Sequence, residues 1–142
     1  MKQFVADSGA FSFINLEHLP WGRHAIVDCR GVSFKTLDDV KFLENTLRQS
    51  IQQAGAKLLA VDSKQFQPNG VTVCAILAES HVTIHTYPEF GVAMLDAFTC
   101  GKIDPRDIVV TAVSVLNPRH YKMDMFERGY RQSHQLANCN QD

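Results

Sequence analysis

Three short strand-like runs stand close together in the middle of the chain, and their spacing restricts the fold more than any other feature. Residues 71–78 form a continuous apolar run, residues 81–87 alternate polar and apolar side chains, and residues 92–98 are again mainly apolar. Only residues 79–80 and 88–91 separate these runs. Such gaps suit hairpins, because a parallel crossover needs about a dozen residues or more. We therefore expect consecutive antiparallel strands.

The alternation within residues 81–87 predicts that one side of this strand is polar and the other is buried. The two faces are His81, Thr83, His85 and Tyr87 on one side and Val82, Ile84 and Thr86 on the other. This pattern is typical of a half-buried strand in an antiparallel sheet.

Two helices are predicted outside this group of strands. The first has Thr36 as its expected N-cap, with Asp39 three residues on, and ends at Gly55. The second runs from the cap Asp104 to about Leu116. Further strands are expected at residues 24–29, 57–66 and 121–126, with a turn at residues 67–70. Together they predict an α+β protein, a two-layer α/β sandwich whose mainly antiparallel sheet carries both helices on one face.

Length and charge narrow the class of protein. With 142 residues the chain suits one domain, and we assign residues 1–22 to an N-terminal extension, 23–129 to the domain and 130–142 to a flexible tail. The net charge of -1 lacks the basic footprint of a nucleic-acid or membrane binder, which leaves a small polar molecule as the expected partner. No apolar run approaches the roughly 20 residues that span a bilayer, and the first residues lack a signal-peptide pattern. We expect a cytoplasmic protein.

The four cysteines are widely spaced, without a C-x-x-C pair, so reduced thiols are expected. Burial is the expected role of Cys74, which lies inside an apolar run. Cys100 is the candidate for a chemical role, because it stands beside Gly101 where a strand should end.

The polar residues that could do chemistry concentrate between residues 79 and 101, around Glu79-Ser80-His81. A hydrolase that uses Ser80 is disfavoured because the G-x-S-x-G elbow is absent. A zinc site built on His81, His85 and Cys100 is also disfavoured, because histidines four residues apart on a strand lie far from each other. We predict no metal.

A longer string gives this region a specific meaning. It reads AESHVTIHTYPEFG at residues 78–91, followed by DAFTCG at residues 96–101, with GRH at residues 22–24 and ERG at residues 127–129. The string resembles the prokaryotic-type S-adenosylmethionine decarboxylases. This resemblance implies a pyruvoyl enzyme on an α/β sandwich, made from an inactive proenzyme and assembled as a homodimer of cleaved protomers with active sites at or near the dimer interface.

The resemblance also implies a role for each matching residue. Cleavage between Glu79 and Ser80 would convert Ser80 into the pyruvoyl group, which replaces pyridoxal phosphate. His85 would move protons in the processing step, and Cys100 would return a proton to the substrate α-carbon. Phe66 and Glu89 match residues expected to stack on adenine and to hold the ribose hydroxyls. Since Ser80 and His85 fall on opposite faces in strict alternation, processing requires an irregular start to the strand.

The chain departs from the family pattern near the expected pocket. Tyr87 stands where the family usually has tryptophan, and Thr72 replaces a serine but keeps the hydroxyl. The resemblance favours decarboxylation of S-adenosylmethionine for spermidine synthesis. Two alternatives stay open: the same pyruvoyl chemistry on arginine or ornithine, and an uncleaved regulatory homologue without catalytic activity.

Overall fold

The computed structural model describes residues 20–129, so the predicted extension up to residue 19 and the predicted tail from residue 130 lie outside the described residues. The described chain forms six strands and three α-helices. In chain order they are β1 (Trp21–Arg30), α1 (Phe34–Leu37), α2 (Val40–Gln53), β2 (Leu58–Gln65), β3 (Val71–Leu77), β4 (Ser80–Tyr87), a short 3₁₀ helix (Pro88–Phe90), β5 (Val92–Cys100), α3 (Pro105–Leu116) and β6 (His120–Gly129).

The strands form one sheet in the order β2-β3-β4-β5-β1-β6, and every neighbouring pair is antiparallel. The three consecutive strands expected from the sequence are the hairpin-linked β3, β4 and β5. Strand β1 inserts between β5 and β6, with α3 bridging the connection from β5 to β6. Helix α2 packs on β2 and β3, whereas α3 packs on β1 and β5, and the two helices contact each other. The α+β sandwich predicted from the sequence is confirmed.

The hydrophobic core lies between the sheet and the helices. Alternate residues of the central strands, such as Val73, Ile84 and Leu95, meet Leu47 of α2 and Ile108 of α3, and all are almost completely buried. Burial of apolar side chains is the main favourable term in folding, so this layer fixes which face of each strand points to the helices. None of the helices in residues 20–129 is long and apolar enough to cross a membrane.

The opposite side of the sheet, which we call the open face, carries the alternate residues. The prediction that Cys74 is buried was wrong, because β3 also alternates: Val73 and Ala75 point into the core, whereas Cys74 and Ile76 are exposed. The apolar run hides this alternation because Ile76 is apolar yet belongs to the open face. The alternation predicted for β4 is confirmed.

The start of the first helical region differs from the prediction. Instead of one helix capped by Thr36, there are two helices. Ser33 caps α1 by accepting a hydrogen bond from the Thr36 N–H at 3.2 Å, and Asp39 caps α2 by accepting one from the Phe42 N–H at 3.0 Å. Thr36 is wrong as an N-cap because it lies inside α1, where its hydroxyl bonds the Ser33 hydroxyl.

Replacing Asp39, the N-cap of α2, should therefore lower the stability of the protein, and the loss should depend on whether the new residue can still cap the helix. We expect Asp39→Ala to reduce the free energy of unfolding by about 1 kcal/mol, because one N-terminal N–H of the helix loses its acceptor. Denaturant titration at one protein concentration measures this change. Asp39→Asn, which keeps a capping oxygen, is the control and should cost much less, and an equal loss in both variants would contradict the assignment.

Candidate active site

The residues singled out in the sequence occupy two separate parts of the molecule. Ser80 begins β4 and Cys100 ends the neighbouring strand β5, where Ser80 pairs with Thr99. His85 lies five residues further along β4, and a strand rises about 3.3 Å per residue. Ser80 and His85 of one chain are therefore separated by about 16 Å.

The Glu79-Ser80 junction is tightly constrained. Ser80 has a φ angle of 153°, a region that residues other than glycine rarely occupy and that costs about 1–3 kcal/mol. The Glu79 carbonyl accepts a hydrogen bond from the Cys100 N–H at 2.9 Å, and the Glu79 carboxylate accepts one from the Lys57 N–H at 3.2 Å. Strand β4 thus begins irregularly, at Ser80.

The segment after Cys100 is held by an arginine from β1. Arg23 forms an ion pair with Asp104 at 3.1 Å and also donates to the Ile103 carbonyl at 3.1 Å. The Thr99 hydroxyl donates to the same carbonyl at 2.7 Å. The exposed Cys100 thiol therefore sits on a strand end whose onward path is fixed.

The second part is a cavity of about 590 Å³ at the other end of β4. Phe66, His85 and Glu89 all line it, together with Thr72 and Tyr87. The Thr72 hydroxyl lies 2.9 Å from His85 Nδ1. The structure thus brings together both predicted substrate-binding residues and His85, but it does not bring Ser80 or Cys100 to them within one chain.

Hydrogen bonds to α1 and to the residue that follows it hold the wall of the cavity in place. The buried Thr86 hydroxyl donates to the Leu37 carbonyl at 2.7 Å and accepts from the Val71 N–H at 2.8 Å. Asp38 accepts from the Gly70 N–H at 2.9 Å, which fixes the turn between β2 and β3. Because these polar groups are partnered, the turn that carries Phe66 has a defined position beside His85.

A hydrogen-bonded cluster lies on the open face between the two parts. Asp96 on β5 receives hydrogen bonds from both neighbouring strands: His24 Nε2 on β1 lies 2.8 Å from its carboxylate and His81 Nε2 on β4 lies 3.0 Å from it. Thr83 donates to the other carboxylate oxygen. Burial raises the pKa of Asp96, but the hydrogen bonds from Thr83, His24 and His81 outweigh it, so this pKa lies below its ordinary value.

Sequence reasoning missed this cluster as a unit. Local patterns do not connect His24 of the motif GRH with Asp96 of DAFTCG. Their contact spans 72 residues of sequence and depends on β1 lying next to β5, which local patterns do not reveal. The alternation of β4, which places His81 and Thr83 on one face, was the available signal.

The same cluster is a possible metal-binding group. Within residues 20–129, donor atoms of His24, His81 and Asp96 lie within 4.8 Å of one another, whereas His85 belongs to the cavity. However, an Arg128 N–H donates to His24 Nδ1 at 3.2 Å. This leaves the His24 proton on Nε2, facing Asp96, so the arrangement fits a hydrogen-bond network better than a metal site.

Comparison with known proteins decides the family. Residues 23–129 match the family model described as S-adenosylmethionine decarboxylase. The chain belongs to the S-adenosylmethionine decarboxylase family. The match covers the whole described sheet except its first two positions in β1.

Curated relatives agree with this family. An S-adenosylmethionine decarboxylase proenzyme of Brevibacillus brevis is 44% identical over 115 residues, covering 80% of this chain and 86% of the relative. A proenzyme of the same name from Methanococcus maripaludis is 38% identical over 109 residues, covering 76% of this chain and 89% of the relative.

A solved structure of a relative has the same fold. The crystal structure of the adenosylmethionine decarboxylase from Aquifex aeolicus superimposes with a TM-score of 0.76 at 31% identity, covering 82% of this chain and 97% of that one. The decarboxylase family and the α+β fold are therefore supported by independent comparisons.

Proposed function

We propose that this chain is a self-processing carboxy-lyase that decarboxylates S-adenosylmethionine for polyamine synthesis. The observation that carries the proposal is the Glu79-Ser80 junction, where a strained serine follows a carbonyl that already accepts a hydrogen bond from the Cys100 N–H at 2.9 Å. The family match and the names of the relatives support S-adenosylmethionine as the substrate.

Self-processing begins with an acyl shift. The Ser80 hydroxyl oxygen attacks the Glu79 carbonyl carbon, the amide C–N bond breaks, and the proton passes to the released amine, leaving an ester. The Cys100 N–H is a suitable donor to the oxyanion that develops on the Glu79 oxygen. Relief of the backbone strain at Ser80 favours the same step.

Elimination then separates the fragments. Loss of the Ser80 α-proton expels the Glu79 carboxylate and leaves a dehydroalanine at position 80. Its imine tautomer takes up water and releases ammonia, which leaves a pyruvoyl group on the fragment that begins at residue 80. The matching family histidine, His85, supplied by the second chain of a dimer, is proposed to move the proton.

The pyruvoyl group supplies a carbonyl that accepts the electron pair released when carbon dioxide leaves the substrate. Cys100 is proposed to return a proton to the substrate α-carbon. Its exposed thiol stands at the end of β5, next to the strand that begins with Ser80, so it lies beside the position where that carbon would be held.

The cavity fits the nucleoside part of the substrate. Phe66 is about half exposed at its rim, so its ring is accessible for stacking on an adenine or sulfonium group. Glu89, which lines the same cavity, offers two carboxylate oxygens to the ribose hydroxyls.

The separation of the two parts supports a homodimer with shared active sites. Within one chain Ser80 lies about 16 Å from His85 along β4, which is too far for direct proton transfer. Cys100 lies farther still, because it is six residues along β5 from Met94, the residue that pairs with His85. A two-fold dimer that apposes two open faces would bring these residues to the partner's cavity. Exposed apolar side chains on that face, including Ile26, Ile76 and Met94, suit such an interface.

Substitutions should separate cleavage from turnover. We expect Ser80→Ala to remain one full-length, inactive chain, because the attacking hydroxyl is gone. Cys100→Ala keeps the backbone N–H and should still be cleaved at least in part, yet lose most of its decarboxylase activity. Intact-mass measurement and a carbon dioxide assay report the two steps, and normal cleavage of both variants would refute the scheme.

The substrate is tested directly with carboxyl-labelled compounds. Cleaved enzyme should release labelled carbon dioxide from S-adenosylmethionine and not from arginine or ornithine, since Phe66 and Glu89 fit a nucleoside. Label released only from a basic amino acid would contradict the substrate assignment while leaving the pyruvoyl chemistry in place.

Mixed dimers test whether the sites are shared. Cys100→Ala and Glu89→Ala chains with different tags can be co-expressed and purified through both tags. If each site takes Cys100 from one chain and Glu89 from the other, one of the two sites is intact and about half of the wild-type activity per dimer returns. If both residues of a site come from one chain, the mixed dimer should stay as inactive as either variant alone.

A further inference from the structure

We propose that His81, held by Asp96, is a positioning residue that fixes Ser80 for cleavage and afterwards holds the new chain end that begins at residue 80. The proposal rests on the proposed function, because it assumes that the chain is cut between Glu79 and Ser80. It assigns a role to the cluster of His24, His81 and Asp96, which none of the reaction steps above uses.

Asp96 is placed to act as a clamp across three strands. It lies on β5 and receives hydrogen bonds from His81 on β4 and His24 on β1. The two histidine rings also pack against Phe98, with centroids 5.7 Å (His24) and 6.0 Å (His81) from its ring centroid. The position of the His81 ring is therefore fixed by a charge-assisted hydrogen bond and by packing.

Ser80 needs support on both of its sides. Before the junction, Glu79 is held by the Cys100 and Lys57 N–H groups. After it, the His81 side chain is hydrogen-bonded to Asp96. A residue in a sparsely populated conformation persists only where its surroundings determine it. On the C-terminal side the His81–Asp96 bond adds to the strand pairing of His81 with Phe98.

Cleavage makes the same bond more important. Once the peptide bond is cut, the anchors on Glu79 no longer act on residue 80. Chain ends are poorly ordered unless something ties them down. Because His81 is covalently joined to residue 80, the clamp holds the group derived from Ser80 at the end of β4, next to Cys100.

The charge around the cluster favours this task over metal binding. The Arg128 guanidinium bonds His24 Nδ1 and stacks over Phe98 at 5.2 Å. A divalent cation bound to His24 Nε2 would have to displace the proton that this bond fixes and would lie near a positive charge.

Cleavage kinetics test the clamp, with cell-free synthesis followed by intact mass over time. His81→Phe keeps an aromatic ring but loses the donor, and Asp96→Ala loses the acceptor. We expect each to slow cleavage by about tenfold or more, the scale of a lost hydrogen bond to a charged group. His81→Gln, whose amide can replace Nε2–H, should restore most of the rate.

The double variant and a matched control complete this experiment. His81→Phe with Asp96→Ala should cleave no more slowly than Asp96→Ala alone, because Asp96→Ala already removes the His81–Asp96 bond together with the bonds from His24 and Thr83. Asp124→Ala, which removes an exposed carboxylate paired with Lys122 on β6, should cleave at the wild-type rate. Wild-type cleavage in His81→Phe, or multiplied effects in the double variant, would overturn the proposal.

A second measurement does not depend on cleavage. In uncleaved Ser80→Ala chains, Asp96→Ala should raise amide hydrogen exchange in residues 79–82, whereas Asp124→Ala should not. A wild-type chain that stays whole would defeat the proposed function, but this exchange experiment would still decide the clamp. Unchanged exchange in Asp96→Ala would defeat the clamp even if cleavage is normal.

Added Zn²⁺ distinguishes the metal alternative. We expect neither Zn²⁺ nor a chelator to change exchange in residues 79–82 of the Ser80→Ala chain. Protection that appears with Zn²⁺ and disappears in His24→Phe would replace the hydrogen-bond clamp with a metal site.

Discussion

The pairing of β4 with β5 is the constraint on which the candidate site depends. Its register places Ser80 opposite Thr99 and Thr83 opposite Asp96. The first pair brings the Cys100 N–H to the Glu79 carbonyl, and the second brings Asp96 between His81 and His24. A shift by one residue would turn every side chain of β4 to the other face, so the buried Val82 and Ile84 enforce the geometry of the polar residues between them.

The fold was predictable to the extent that it depends on local patterns. Alternation in β4 and short gaps between runs identified the hairpins, and the helix predicted to end at Gly55 includes α2. The continuous apolar run in β3 was ambiguous, because an apolar open face conceals alternation, and this produced the error at Cys74. The cap was misassigned because Ser33, Thr36 and Asp39 are all residues that favour N-caps, and only the backbone path selects between them.

The site was predictable as a set of residues but not as an arrangement. A family resemblance named Ser80, His85 and Cys100, but the strand pairing that sets Cys100 beside the Glu79-Ser80 junction appears only in the structure. His24 and Arg128 lie 104 residues apart in sequence and in contact in the structure, and such contacts follow from sheet order rather than from local pattern. Sheet order is the part of the fold that the sequence leaves least determined.

The order of strands has a consequence for the fate of the two fragments. Residues 1–79 contain β1, β2 and β3, and residues 80–142 contain β4, β5 and β6. In the sheet these strands interleave, since β1 lies between β5 and β6. A cut between residues 79 and 80 would therefore leave two polypeptides in one sheet. They would stay paired at three places, β3 with β4, β5 with β1 and β1 with β6, and in contact through α2 and α3. Neither polypeptide could leave without dismantling the core, so the folded unit would stay whole after the covalent chain is broken.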